Sequence, residues 1–200
     1  MKQIVLVCIF LVSIRNSYSE TSGDLYRTRL TLARSHTLAG LHKIHDKSSV
    51  HDKLTELVFF SRWLMLSPKS TVAAHGLLQT IPVNQKEAEN LMILSDPPEK
   101  ISASTSDLLA LGNIHDRWPQ LVARAVLLSP SDMTNYVTYL PLAAIDMHSD
   151  FTGKATRVCN KLPKEFRSAI AGLSKEDRAY VRRKVFDPDR CEAIFVGEAE

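Results

Sequence analysis

The segment LHKIHDKSSVHDK, residues 41–53, places His42, His45, Asp46, His51 and Asp52 within thirteen positions. Imidazoles and carboxylates at this density can ligate a metal, move protons in a catalytic pocket, or finish helix ends. On a helix, His42, His45 and Asp46 stand at i, i+3 and i+4, on one face, with His51 or Asp52 as a fourth donor. That spacing follows no zinc pattern such as His-Glu-x-x-His. A second stretch decides between the uses. LAGLHKIHDK (38–47) aligns with LLALGNIHDR (108–117), so Leu38, Leu41, Ile44, His45 and Asp46 recur as Leu108, Leu111, Ile114, His115 and Asp116. His42 is replaced by Gly112, so the trio is not duplicated, and no metal or other cofactor is expected. What recurs is a His-Asp pair closing a periodic stretch. Each histidine is expected in the last turn of a helix, where positive charge suits the helix dipole. Asp46 and Asp116 are expected to cap the helices that follow.

Other reactive patterns are missing from the chain. There is no Gly-x-Ser-x-Gly elbow, no phosphate-cradling glycine loop and no Cys-x-x-Cys, and glycine occurs only seven times. No residue is singled out as catalytic. The sequence therefore points to a protein that binds and not to an enzyme.

The elements that position these residues read as helices. Tyr26, Leu30, Ala33, Thr37, Leu41 and Ile44 step by three and four as one amphipathic stripe. Leu54, Leu57, Val58, Phe60, Ser61, Leu64 and Met65 form a second stripe, and Leu121, Val122, Ala125, Val126 and Leu128 a third. Ser67-Pro68 and Ser129-Pro130 read as caps followed by a first-turn proline. Ser129–Asp132, Ser174–Asp177, Asn84–Glu87 and Ser104–Asp107 set an acid three residues after a cap. Pro82, Pro97-Pro98, Pro141, Gly153, Pro163, Gly172 and Pro188 read as breaks between helices. No hairpin signal or alternating run occurs. The expected fold is all-α: a helical bundle or short helical-hairpin array of about seven or eight helices, with one disulfide. The match between 38–47 and 108–117, with Leu66-Ser67-Pro68 echoed by Leu128-Ser129-Pro130, makes a duplicated unit the natural explanation. The expected organisation is an N-terminal helical half at 20–94, a linker or surface loop at 95–106, and a C-terminal half at 107–200, with a single domain the equal alternative.

Residues 1–19, MKQIVLVCIFLVSIRNSYS, pair an early lysine with an apolar run from Ile4 to Ile14 and a small-x-small ending. This is the pattern of a secretory signal peptide cleaved after Ser19, and it predicts a secreted, extracellular protein. No later stretch is apolar enough to cross a membrane, so no transmembrane segment is expected. Lys2 and Arg15 leave with the signal, so 23 basic residues then face 22 acidic ones. That balance gives no reason to expect nucleic acid as a partner. The charge is uneven, since residues 154–190 hold eleven basic and five acidic side chains. Cys159 and Cys191 remain once Cys8 is gone, and two cysteines in an exported chain are expected to pair. Closing that loop stabilises by ~3–4 kcal/mol on the chain-entropy account.

Two features stand out for binding. The run LVFFSRWLML (57–66) spreads Phe59, Phe60, Trp63 and Met65 over more than one helix face. Those residues are the candidate site for a small apolar ligand such as a fatty acid or retinoid. Arg157, Lys161, Arg178 and Arg182 repeat at helical spacing in the basic quarter. They are the candidate contact for an acidic protein, an acidic glycan or lipid headgroups. LPKEFRSAIAGLSKEDRAYVRRK (162–184) resembles the opening of nematode fatty-acid- and retinol-binding proteins, which are exported and helical. The resemblance covers 23 residues at the opposite end of the chain and implies an apolar ligand without assigning the family. The leading expectation is a secreted, non-enzymatic carrier of a small apolar ligand. The alternative is an extracellular interaction module that docks an acidic partner through its basic C-terminal helices.

Overall fold

The computed structural model describes residues 22–92, 94, 102–143, 148–184 and 191. The expected signal peptide and most of the 95–106 segment lie outside these residues. Every regular element among them is helical. The order is α1 (Ser22–Arg34), α2 (Leu38–Lys47), α3 (Lys53–Leu66), α4 (Thr71–Thr80), α5 (Gln85–Met92), α6 (Thr105–Asp116), α7 (Trp118–Leu128), α8 (Met133–Ala143), α9 (His148–Lys161), α10 (Pro163–Ala171) and α11 (Lys175–Lys184). A single 3₁₀ turn, Pro130–Asp132, precedes α8.

The all-helical class is as expected, but the count is eleven α-helices among the described residues, not seven or eight. One additional break is made by a polar cap, without proline or glycine. The stripe from Tyr26 to Ile44 is two helices. Thr37, a stripe member, is the N-cap of α2, and its Oγ1 accepts the Gly40 amide at 3.1 Å. Arg62 Nε donates to Ser35 O at 2.7 Å and holds this corner against α3. Conversely, Gly153 falls inside α9 and Pro141 inside α8, where breaks were expected. Most capping signals take up their roles. Ser104 and Asp107 form a full capping box, and the Glu87 and Asp177 amides donate to Asn84 Oδ1 and Ser174 Oγ. Ser67 does not start a helix; it ends α3.

The two Leu-Ser-Pro corners have matching backbones. Ser67 has φ −132°, ψ 80° and Ser129 has φ −131°, ψ 73°. Each donates its amide to the carbonyl four residues back, Trp63 or Ala125. In both places helix, helix, corner and helix follow in order: α2, α3, α4 and then α6, α7, α8. The extra length of the first stretch goes into the loop at 48–52 and into a longer α3, 14 residues against 11 for α7.

Packing centres on α3, α4 and α7. Helix α4 lies between α3 and α7, and α9 covers the far side of α7. Leu57, Val58, Leu64, Ala73, Ala74, Leu77, Val122, Ala125 and Val126 are all buried within one continuous apolar cluster. Further along it, fully buried Trp118 donates Nε1–H to Tyr139 Oη at 2.7 Å. Tyr139 in turn meets Phe151 of α9 edge-on. Arg34 of α1 pairs with Asp107 in the first turn of α6. Cys159, buried on α9, lies at disulfide distance from buried Cys191 and draws that point of the tail onto the core.

The approach of α4 to α3 is set by Gly76. A Cβ there would come within 2.3–2.5 Å of the Phe60 ring. Alanine would gain about 1 kcal/mol of helix propensity. Displacing an aromatic ring costs about 1–3 kcal/mol. Gly76→Ala is therefore expected to destabilise by up to about 2 kcal/mol in urea unfolding. Adding Phe60→Leu should recover part of the loss; an additive double variant would refute the contact.

Candidate functional site

The four residues expected to hold an apolar ligand sit on α3, and three of them join one aromatic cluster. Phe59 is buried, while Phe60, Trp63 and Met65 are partly buried against the core. Phe59 meets Phe60 and Trp63 at centroid distances of 5.0 and 5.6 Å. Two histidines of α2 complete the cluster. The ring of His42 stands edge-on to Trp63 at 4.4 Å, and the ring of His45 stacks on Phe59 at 3.8 Å. Phe60 also covers Gly76. The ring contacts join α2, α3 and α4, while Phe60 and Trp63 remain partly exposed.

The helix-end reading of the histidine-rich segment holds in part. His45 and His115 do occupy last helical turns. Asp46 and Asp116 do not cap the next helices; each remains in the same last turn, with its side chain 73% and 78% exposed. The cap of α3 is Asp52, which accepts the Leu54 and Thr55 amides. The cap position of α7 is Arg117, which makes no side-chain cap bond. The displacement has a simple cause. The first stretch carries the extra loop at 48–52, so the cap moves to its end, and in the second stretch one residue separates the helices.

Asp52 is a junction as well as a cap. Arg29 Nη2 of α1 donates to it at 2.9 Å, the Thr55 hydroxyl donates at 2.6 Å, and Arg29 Nε donates to Thr55 Oγ1. Burial pushes the Asp52 carboxyl up, but the hydrogen bonds from Thr55 and Arg29 and the guanidinium charge outweigh it and hold the group below its usual range. One turn further on, Glu56 faces back toward α2. Its carboxylate lies 2.8 and 3.0 Å from His45 Nε2 and 2.9 Å from His51 Nδ1. The trio weighed from sequence, His42, His45 and Asp46, is not brought together. His42 turns into the aromatic cluster, and Glu56 takes a place no short motif marks. A helix start placed at Asp52 would have exposed it, since the first turn then faces the preceding helix end.

The basic residues fall in two places. On α9, Phe151, Ala155, Val158 and Cys159 are buried, while Arg157 and Lys161 are exposed and Lys154 is half-buried on the other side. Lys164 and Arg167 of α10 are exposed as well. Lys154, Arg157, Lys161 and Lys164 make no ion pair among the described residues. Arg178 and Arg182 are half-buried on α11, which packs on α8. Beside them an open cleft of about 680 Å³ runs between Pro141 and Leu142 of α8 and Lys175, Ala179 and Tyr180 of α11.

A further polar cluster gathers a serine, a histidine and a carboxylate at the corner before α8. Buried Asp132 receives Ser129 Oγ–H at 2.5 Å and Gln79 Nε2–H at 2.9 Å, and His75 Nδ1 lies 2.8 Å from it. Serine and histidine both turn to the carboxylate and not to each other, so no nucleophile–base pair is formed. The cluster latches α4 to the corner before α8.

A depressed carboxyl adds stability that is complete above the usual carboxylate range and is lost as pH falls through its folded value. Asp52→Ala is expected to lower unfolding free energy at neutral pH by about 1–2 kcal/mol. It should also flatten the fall in stability below about pH 5, read by urea titration. An unchanged acid slope would remove Asp52 from this role. No protein family, no curated protein and no solved structure matches this chain.

Proposed function

We propose that the chain is an exported helical protein that acts by binding a linear polyanion, of the acidic-glycan kind, along the outer face of α9 and the start of α10. The observation that carries this reading is the row Lys154, Arg157, Lys161 and Lys164, at intervals of three, four and three, none with an ion pair among the described residues. Successive charges on α9 lie about one helical turn apart, ~5 Å. A row of that kind suits an extended chain of anions better than a point ligand. The opposite face of α9 is buried on α7, so the helix cannot turn to neutralise itself. Export is supported by the 1–19 pattern and by a cysteine pair suited to an oxidising compartment. The carrier reading is the weaker of the two, because Phe59, Phe60 and Trp63 spend their faces on one another, on two histidines and on Gly76.

The test is heparin chromatography in a salt gradient. Arg157→Glu with Lys161→Glu should elute at clearly lower salt than a charge-matched control, Lys43→Glu with Lys69→Glu, placed at exposed sites elsewhere. Identical elution of the two would mean that net charge alone governs retention, and the reading fails.

A further inference from the structure

We propose that His45, His51 and Glu56 form a divalent-cation site, with zinc as the best-matched ion. Their ligating atoms, one from each residue, lie within 4.8 Å of one another. The donor set, two imidazoles and one carboxylate, is one that zinc accepts with a fourth position left to water. Zinc bonds of about 2.1 Å at tetrahedral angles require ligand atoms about 3.4 Å apart. The histidine–glutamate separations of 2.8 and 2.9 Å fall just below that value. His51 is half-exposed in the loop before α3, so it can move to accommodate an ion.

Two of the three ligands are already oriented. His45 is stacked on Phe59 and only 18% of its side chain is exposed. Glu56 is fixed in the first turn of α3, where its amide donates to Asp52 O at 3.0 Å. Little ordering is then left for the ion to impose. The second stretch lacks the group: His115 occupies the place of His45, but Arg117 alone separates α6 from α7, so no loop there supplies a counterpart of His51.

The alternative is a hydrogen-bonded clasp between α2 and α3 with no ion, and the experiment separates the two. Zinc chloride is titrated into the purified chain at neutral pH by calorimetry, beside the variants His51→Ala, Glu56→Gln and His75→Ala. The expected result is one zinc per chain, weakened about 100-fold or more by His51→Ala, because loss of outer partners alone costs 10–100-fold. Glu56→Gln keeps a hydrogen-bonding partner for both imidazoles but should also lose zinc. His75→Ala should bind as the parent does. In the parent, cobalt should give the intense visible absorption of a four-coordinate ion, and His51→Ala should abolish it. Zinc affinity that is absent, or equal in parent and His51→Ala, overturns the proposal. Far-UV dichroism confirms that His51→Ala, a change at a half-exposed loop residue, is folded.

Discussion

The carboxylate of Asp52 is the point on which the N-terminal architecture turns. It accepts two amides that would otherwise be orphaned at the start of α3. It also holds the Arg29 guanidinium, so the same two oxygens fix the start of α3 and its distance from α1. Once that first residue is set, the 3.6-residue period dictates the rest. Leu57, Val58, Ser61 and Leu64 point into the core, Phe60 meets Gly76, and Glu56 is aimed at the end of α2. A cap shifted by one position would rotate every one of these side chains by about 100°. The central helix, the aromatic cluster and the histidine–glutamate group share this origin.

A different carboxylate ties α4 to the corner before α8. Asp132 sits at the corner before α8 and takes its hydrogen bonds from α4 and from Ser129. Its burial is tolerable because three polar partners surround it. The arrangement superficially resembles a catalytic group, yet its geometry is that of a fastener. Residue types alone do not distinguish the two; the direction in which the serine hydroxyl points does.

Helical class was legible because periodicity of three and four runs through every long segment, and because Ser104, Ser174 and Asn84 stand three residues before an acid. Helix number was not legible where a break is made by one polar side chain inside an unbroken stripe, as at Thr37. Proline and glycine misled in the other direction. Pro141 lies inside α8 although proline has no N–H for the carbonyl four residues back, and Gly153 is carried within α9, a helix whose buried face includes Phe151, Ala155 and Val158. The cysteine pairing was readable from arithmetic, and the recurring histidine from alignment. Glu56 was missed, because its relation to His45 spans a loop and two helices and shows only once the start of α3 is placed at Asp52. Phe59, Phe60 and Trp63 were conspicuous by type, but only their neighbours show that the rings serve a junction.

The uneven charge has a consequence for how the molecule meets its solvent. The Arg29–Asp52, Arg34–Asp107 and Lys53–Glu87 pairs are cohesive, and dissolved ions weaken them by screening. The row Lys154, Arg157, Lys161 and Lys164 is self-repelling, and the same ions relieve it. Salt therefore loosens one end of this protein while easing the other. Its response to ionic strength is a difference of two opposed trends, governed by the medium and not by any change of shape.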